Sequence, residues 1–166
     1  MGRILDLFSV DEQARKEKIL LCMPFNKLDF QVAISNFAEV VNDGSSEVFF
    51  LVPQAFFHMV RSIESCFLLP LLNIHIKRSG VPSKLFFKDY GDQQFFCGVD
   101  LNPCFNITSA TIIKKLASNQ RIGFKTLKSH RFFNIEIISK DIHSYYNKVK
   151  EILTNHTTKT PQEMQK

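Results

Sequence analysis

The sequence has no tryptophan and only six glycines in 166 residues. So few glycines leave little material for loops that bring backbone amides up to a phosphate. There is also no G-x-x-x-x-G-K-[ST], no G-x-G-x-x-G, no H-E-x-x-H and no G-x-S-x-G. No apolar run nears the roughly 18 to 20 residues that a membrane-spanning helix needs. The longest, Cys66 to Leu72, is broken by Pro70. The opening residues Met1-Gly2-Arg3-Ile4-Leu5-Asp6 lack the apolar core and small-residue site of a secretory signal. Asp6 also stands where acylation of Gly2 wants Ser or Thr. An intracellular location, cytoplasmic or nuclear, is expected.

Close cysteine pairs are missing as well. Cys22, Cys66, Cys97 and Cys104 form no C-x-x-C, and zinc sites usually show two such pairs. Reduced core thiols are the reading, with no metal and no cofactor. The five histidines have no fixed partner in the sequence, and Asp89 and Asp92 flank Gly91 as turn residues. With no catalytic signature, the chain reads as a non-enzyme.

What is present is a charge asymmetry. Residues 101 to 135 hold Lys114, Lys115, Arg121, Lys125, Lys128 and Arg131 and no Asp or Glu. The whole chain has 21 Lys and Arg against 16 Asp and Glu, so outside this stretch 15 cations face 16 acids. These six residues are the expected anion-binding patch. Nucleic acid is favoured as the partner because the charges are read onto a folded hairpin rather than a membrane-surface helix. An anionic membrane is second. Phe132 and His130 stand among the cations and suit stacking on unpaired bases. The plainer reading is a solvated surface neutralised by Asp89, Asp92 or Glu136. The alternatives are a module that recognises acidic proteins, or an enzyme whose site is scattered in sequence.

At 45% hydrophobic and 22% charged, the chain has the composition of one globular domain. Ser9-Val10-Asp11-Glu12 has capping-box form for a charged helix to Lys18. Ile19 to Met23 reads as a buried strand. Asn26 caps a helix whose stripe is Phe30, Ala33, Ile34, Phe37, Val40 and Val41, stopped by Asn42-Asp43-Gly44. Val48 to Val52 is a strand, and Gln54 to Ile63 fits strand or short helix. Leu72, Ile74 and Ile76 alternate as a half-buried strand. Lys84 to Lys88 and Gln93 to Leu101 read as a hairpin, as do Arg121 to Thr126 and Arg131 to Ile138. Between these, Thr108 or Ser109 caps a helix to about Asn119, and a last helix runs from Asp141 to Leu153.

The expected fold is therefore α+β. A mainly antiparallel sheet packs with an N-terminal helix pair, a helix near 108–119 and a C-terminal helix. Residues 1–153 form one domain, with 1–18 as a mobile helix and 154–166 as a disordered polar tail. In outline this order resembles one sliding-clamp domain and small viral matrix proteins, with no shared motif that names a family. Five Phe-Phe pairs, at 49–50, 56–57, 86–87, 95–96 and 132–133, put rings on both faces of any strand that holds them. They call for helices on both sides, or for homo-oligomers joined through aromatic faces.

Overall fold

The computed structural model describes residues 16–40, 44–60, 63 and 66–157. Six strands form one sheet: β1 (Lys18–Cys22), β2 (Glu47–Pro53), β3 (Phe67–Leu71), β4 (Phe95–Asp100), β5 (Ala117–Phe124) and β6 (Ile135–Ile137). Their order is β3-β2-β1-β4-β5-β6, and every neighbouring pair is parallel. The helices are α1 (Lys27–Phe37), α2 (Lys84–Tyr90), α3 (Ile107–Leu116) and α4 (Ile142–Thr157).

The antiparallel α+β expectation is thus overturned: this is an α/β fold. The residues explain it. Strands β1, β2 and β4 are apolar almost without interruption and buried along their length. That texture belongs to a parallel sheet covered on both faces, not to a half-solvated antiparallel one. Adjacent phenylalanines divide accordingly: Phe50 packs in one core and Phe49 in the other. Of the sixteen described phenylalanines only Phe67, at 51%, is exposed.

Three local expectations also fail. The Leu72–Ile76 alternation is not a strand: Asn73–His75 is a 3₁₀ turn, and the strand lies earlier, at Phe67–Leu71. His75, on the polar side of that alternation, is the buried member. Lys84–Lys88 is helix α2, not half of a hairpin. Five residues were too short to fix the period. In the helix Phe86 and Tyr90 are one turn apart and pack edge-on against the His75 ring at 5.6 Å each. The third failure is the second hairpin. Residues 125–134 instead form a crossover between the parallel strands β5 and β6, turning through the 3₁₀ segment Ser129–Arg131.

Two caps fix where the helices start. Asn26 Oδ1 accepts from Leu28 and Asp29 N–H, as its sequence position implies. For α3 the cap is Asn106, not Thr108 or Ser109: its Oδ1 accepts from Ser109 N–H at 3.0 Å. Asn106→Ala is expected to cost about 1 kcal/mol of stability, read as a shift in denaturant midpoint at constant slope. The proposed N-terminal helix up to residue 15 and the tail beyond 157 lie outside the described residues, while Lys18 opens β1 and α4 extends past Leu153 to Thr157. Gln54–Val60 resolves as a 3₁₀ helix.

Topology then sorts the connections onto two sides. From β1 to β3 the chain steps one way along the sheet, and from β3 to β6 it steps the other way. Parallel crossovers share one handedness, so opposite steps place their connections on opposite faces. The cores agree. Phe30, Ala33 and Phe37 of α1 pack with Tyr145, Tyr146 and Val149 of α4 on one face. Phe86 of α2, Ile112 and Ile113 of α3, and Phe133 of the crossover pack on the other. No helix among the described residues is long and apolar enough to cross a membrane.

The candidate anion-binding face

Charge segregated along the chain becomes charge segregated in space. Everything between β3 and β4, and between β4 and β6, lies on the α2–α3 side. Residues 72–92 carry Lys77, Arg78, Lys84 and Lys88 with Asp89 and Asp92, and residues 101–134 carry the six cations named above and no acid. Arg121 lies within β5, so outside the strands that side holds nine cations and two carboxylates. The opposite side, from α1 with its C-terminal turn and from residues 138–157, holds Lys27, Lys140, Lys148 and Lys150 against Asp29, Glu39, Asp141 and Glu151. Among the described residues outside the strands, one side carries a surplus of seven positive charges and the other none.

The six expected residues do not form one tight cluster, but four of them meet around Phe132. Lys114 Nζ stands 5.3 Å over its ring. Arg121 Nε donates to its carbonyl oxygen at 2.9 Å. Lys128 and Arg131 line a cleft of about 420 Å³ with Phe132, Phe105, Ile107 and Ser79. Lys115 points the other way, 4.5 Å over Phe87 of α2. Lys125 is exposed just past the end of β5. Phe105 and Phe132 touch, with ring centroids 5.4 Å apart.

Neutralisation by nearby acids is not what the geometry gives. Among the described residues none of the six cations is paired with a carboxylate, and the one histidine–carboxylate contact joins His75 Nε2 to Asp89 Oδ2 at 2.9 Å. Asp89 is engaged by His75, whose Nδ1 accepts from Leu72 N–H; the ring proton therefore sits on Nε2. Glu136 accepts from the buried Ser129 hydroxyl, which also accepts from Thr126 N–H at 2.8 Å. That contact ties down the crossover bearing Lys128 and Arg131.

Lys77, Arg78, Lys84 and Lys88 were missed from sequence because Asp89 and Asp92 follow them closely. The usable signal was topological: whatever links β3 to β4 must share a face with α3.

A second constellation was also missed. In open parallel sheets ligands favour the crevice outside the carboxyl ends of the strands where the order reverses, here between β1 and β4. Asp100 ends β4 there, fully buried. Its Oδ1 accepts from Asn102 N–H and Nδ2–H at 3.0 and 2.7 Å, and its Oδ2 from Ser109 Oγ at 2.8 Å. Burial pushes its carboxyl up to about 6, partly offset by these donors. An acid closing the apolar run Phe95–Val99 was the legible sign. The crevice is poorly suited to phosphate. The β1–α1 turn is Met23-Pro24-Phe25-Asn26, without glycine. Phe25 N–H is already given to Asn102 Oδ1, and Asp29 occupies the first turn of α1. Burial likewise raises the Cys22 and Cys97 thiols, the latter to about 12, so neither supplies a thiolate near neutrality. No group of three or more His, Cys, Asp or Glu among the described residues could hold a metal ion.

No protein-family model matches the chain, and no curated protein or solved structure matches it.

Proposed function

We propose that this protein is a non-enzymatic binding protein that engages a phosphate-bearing anionic partner through its α2–α3 side. The observation that carries the reading is the contrast between the two layers outside the strands: among the described residues, nine cations against two carboxylates on one, four against four on the other. Nucleic acid and anionic membrane, the two partners expected from sequence, share the phosphate chemistry that such a field attracts. Among the described phenylalanines only Phe67, on edge strand β3, is exposed for self-association, and the reading does not depend on it.

The test separates location from net charge. Lys125→Glu with Arg131→Glu changes the charge by the same amount as Lys148→Glu with Lys150→Glu on the opposite layer. On phosphocellulose the first pair is expected to elute at clearly lower salt than wild type, and the second pair close to wild type. Equal shifts for the two pairs would sink the reading, because the binding would then follow net charge alone.

A further inference from the structure

Because all six strands are parallel, all six carboxyl ends lie along one edge of the molecule. Four of the six exposed large apolar side chains among the described residues sit just beyond those ends: Leu28 after β1, Ile74 after β3, Leu127 after β5 and Ile138 after β6. They are 64–96% exposed, Leu127 the most. Strands repeat at about 4.8 Å, so this row spans roughly 24 Å from β3 to β6. The amino-end edge has only Phe67 among such residues.

Each apolar residue in the row has a cation within three positions: Lys27 beside Leu28, Lys77 after Ile74, Lys125 and Lys128 around Leu127, and Lys140 after Ile138. Asp29 offsets Lys27, and Glu136 and Asp141 offset Lys140, so the net positive charge of the row lies at Ile74 and Leu127. A nucleic-acid backbone offers nothing to an exposed Leu or Ile. An anionic bilayer offers both components: phosphates and carboxylates at the surface for the lysines, and acyl chains just beneath for short apolar side chains.

We propose that the carboxyl-end edge docks on an anionic lipid surface, with Leu127 and Ile138 entering the headgroup layer. This rests on the phosphate-binding reading above and names its partner. Lys128 and Arg131, which line the Phe132 cleft, stand next to Leu127 in sequence and bring the basic side up to the same surface.

The absence of tryptophan makes the test direct. Leu127→Trp introduces the chain's sole indole at a side chain that is 96% exposed, so folding is not at stake. Its emission is expected to shift to the blue with phosphatidylcholine vesicles containing phosphatidylserine, and not with phosphatidylcholine alone. In sedimentation with the same anionic vesicles, Leu127→Ser with Ile138→Ser should weaken binding about tenfold or more. Phosphocellulose elution of that variant should stay at the wild-type position. No blue shift, or vesicle binding unchanged by the double serine variant, would overturn the lipid assignment while leaving the basic side intact. Salt-sensitive binding to duplex DNA without binding to anionic vesicles would also overturn it and make nucleic acid the partner. If phosphocellulose retention follows net charge alone, the failure lies in the functional reading beneath it.

Discussion

Gly123→Ala is expected to destabilise the protein by about 1–3 kcal/mol, although it adds one methyl group. A Cβ on Gly123 would lie 2.3 Å from two ring carbons of Phe133 and 2.7 Å from a third. The ring cannot bend, and Phe133 is buried in the α2–α3 core, so ring or strand must shift. The contact exists because the β5–β6 crossover is short. Residues 125–134 return the chain to a parallel strand in ten residues with only a 3₁₀ turn, where such connections usually take a dozen or more and a full helix. The crossover must therefore lie flat on the sheet, and a bare backbone at 123 lets it.

Phe133→Ala alone should cost about 3–5 kcal/mol by opening a cavity. In the double variant the alanine at 123 projects into the space the ring vacates. The double should then lose at least about 1 kcal/mol less than the two singles combined. Denaturant melts of the four proteins, compared at constant slope, measure this coupling. Strict additivity would mean that Gly123 and Phe133 do not meet.

The same region shows why the sheet was misread. Strand locations at Ile19, Val48 and Phe95 were legible, since runs of large apolar residues leave few other choices. Strand direction was not. Lys128-Ser129-His130 and Asp89-Tyr90-Gly91-Asp92 look like tight turns, and turn residues argue for hairpins. What cancels that inference is non-local: Phe49 beside Phe50, and Phe95 beside Phe96, demand cover on both faces, which hairpin sheets of this size rarely provide. The aromatic pairs thus carried the class of the fold, while the turn residues carried only local bends. The patch was legible as composition, but its extension to Lys77 and Arg78, and the apolar row beside it, follow only once strand direction is known. Neighbours along an edge of a parallel sheet are far apart in sequence.

Asp100→Asn is expected to reverse its effect with pH. The folded-state carboxyl of Asp100 lies at about 6, above its ordinary 3.8, chiefly because it is buried. The native state thus holds this proton more tightly than the unfolded chain. Below about pH 3 both states are protonated, and the group's favourable contribution is fully present. As pH rises to about 6 the unfolded chain releases the proton first and stability falls, and above that the contribution is gone. At about 1.4 kcal/mol per unit, the swing is roughly 3 kcal/mol. Asparagine resembles the protonated acid and cannot titrate. It keeps an oxygen for both Asn102 donors, and its amide faces Ser109 Oγ, whose hydrogen can turn to Asn106 O at 3.3 Å. Wild-type stability relative to the variant should therefore fall by about 3 kcal/mol between pH 3 and pH 7. Melts across that range read the difference directly, which removes every other titrating group. Parallel curves would show that Asp100 does not change its proton there. Asp100→Ala separates charge from hydrogen bonding: it leaves the buried Asn102 N–H without its acceptor and should destabilise at both ends of the range. The site matters beyond its own energy because Tyr145 and Tyr146 of α4 donate to the carbonyl oxygens of Asp100 and Leu101. The end of β4 is where the layer of α1 and α4 is fastened to the strand that feeds α3.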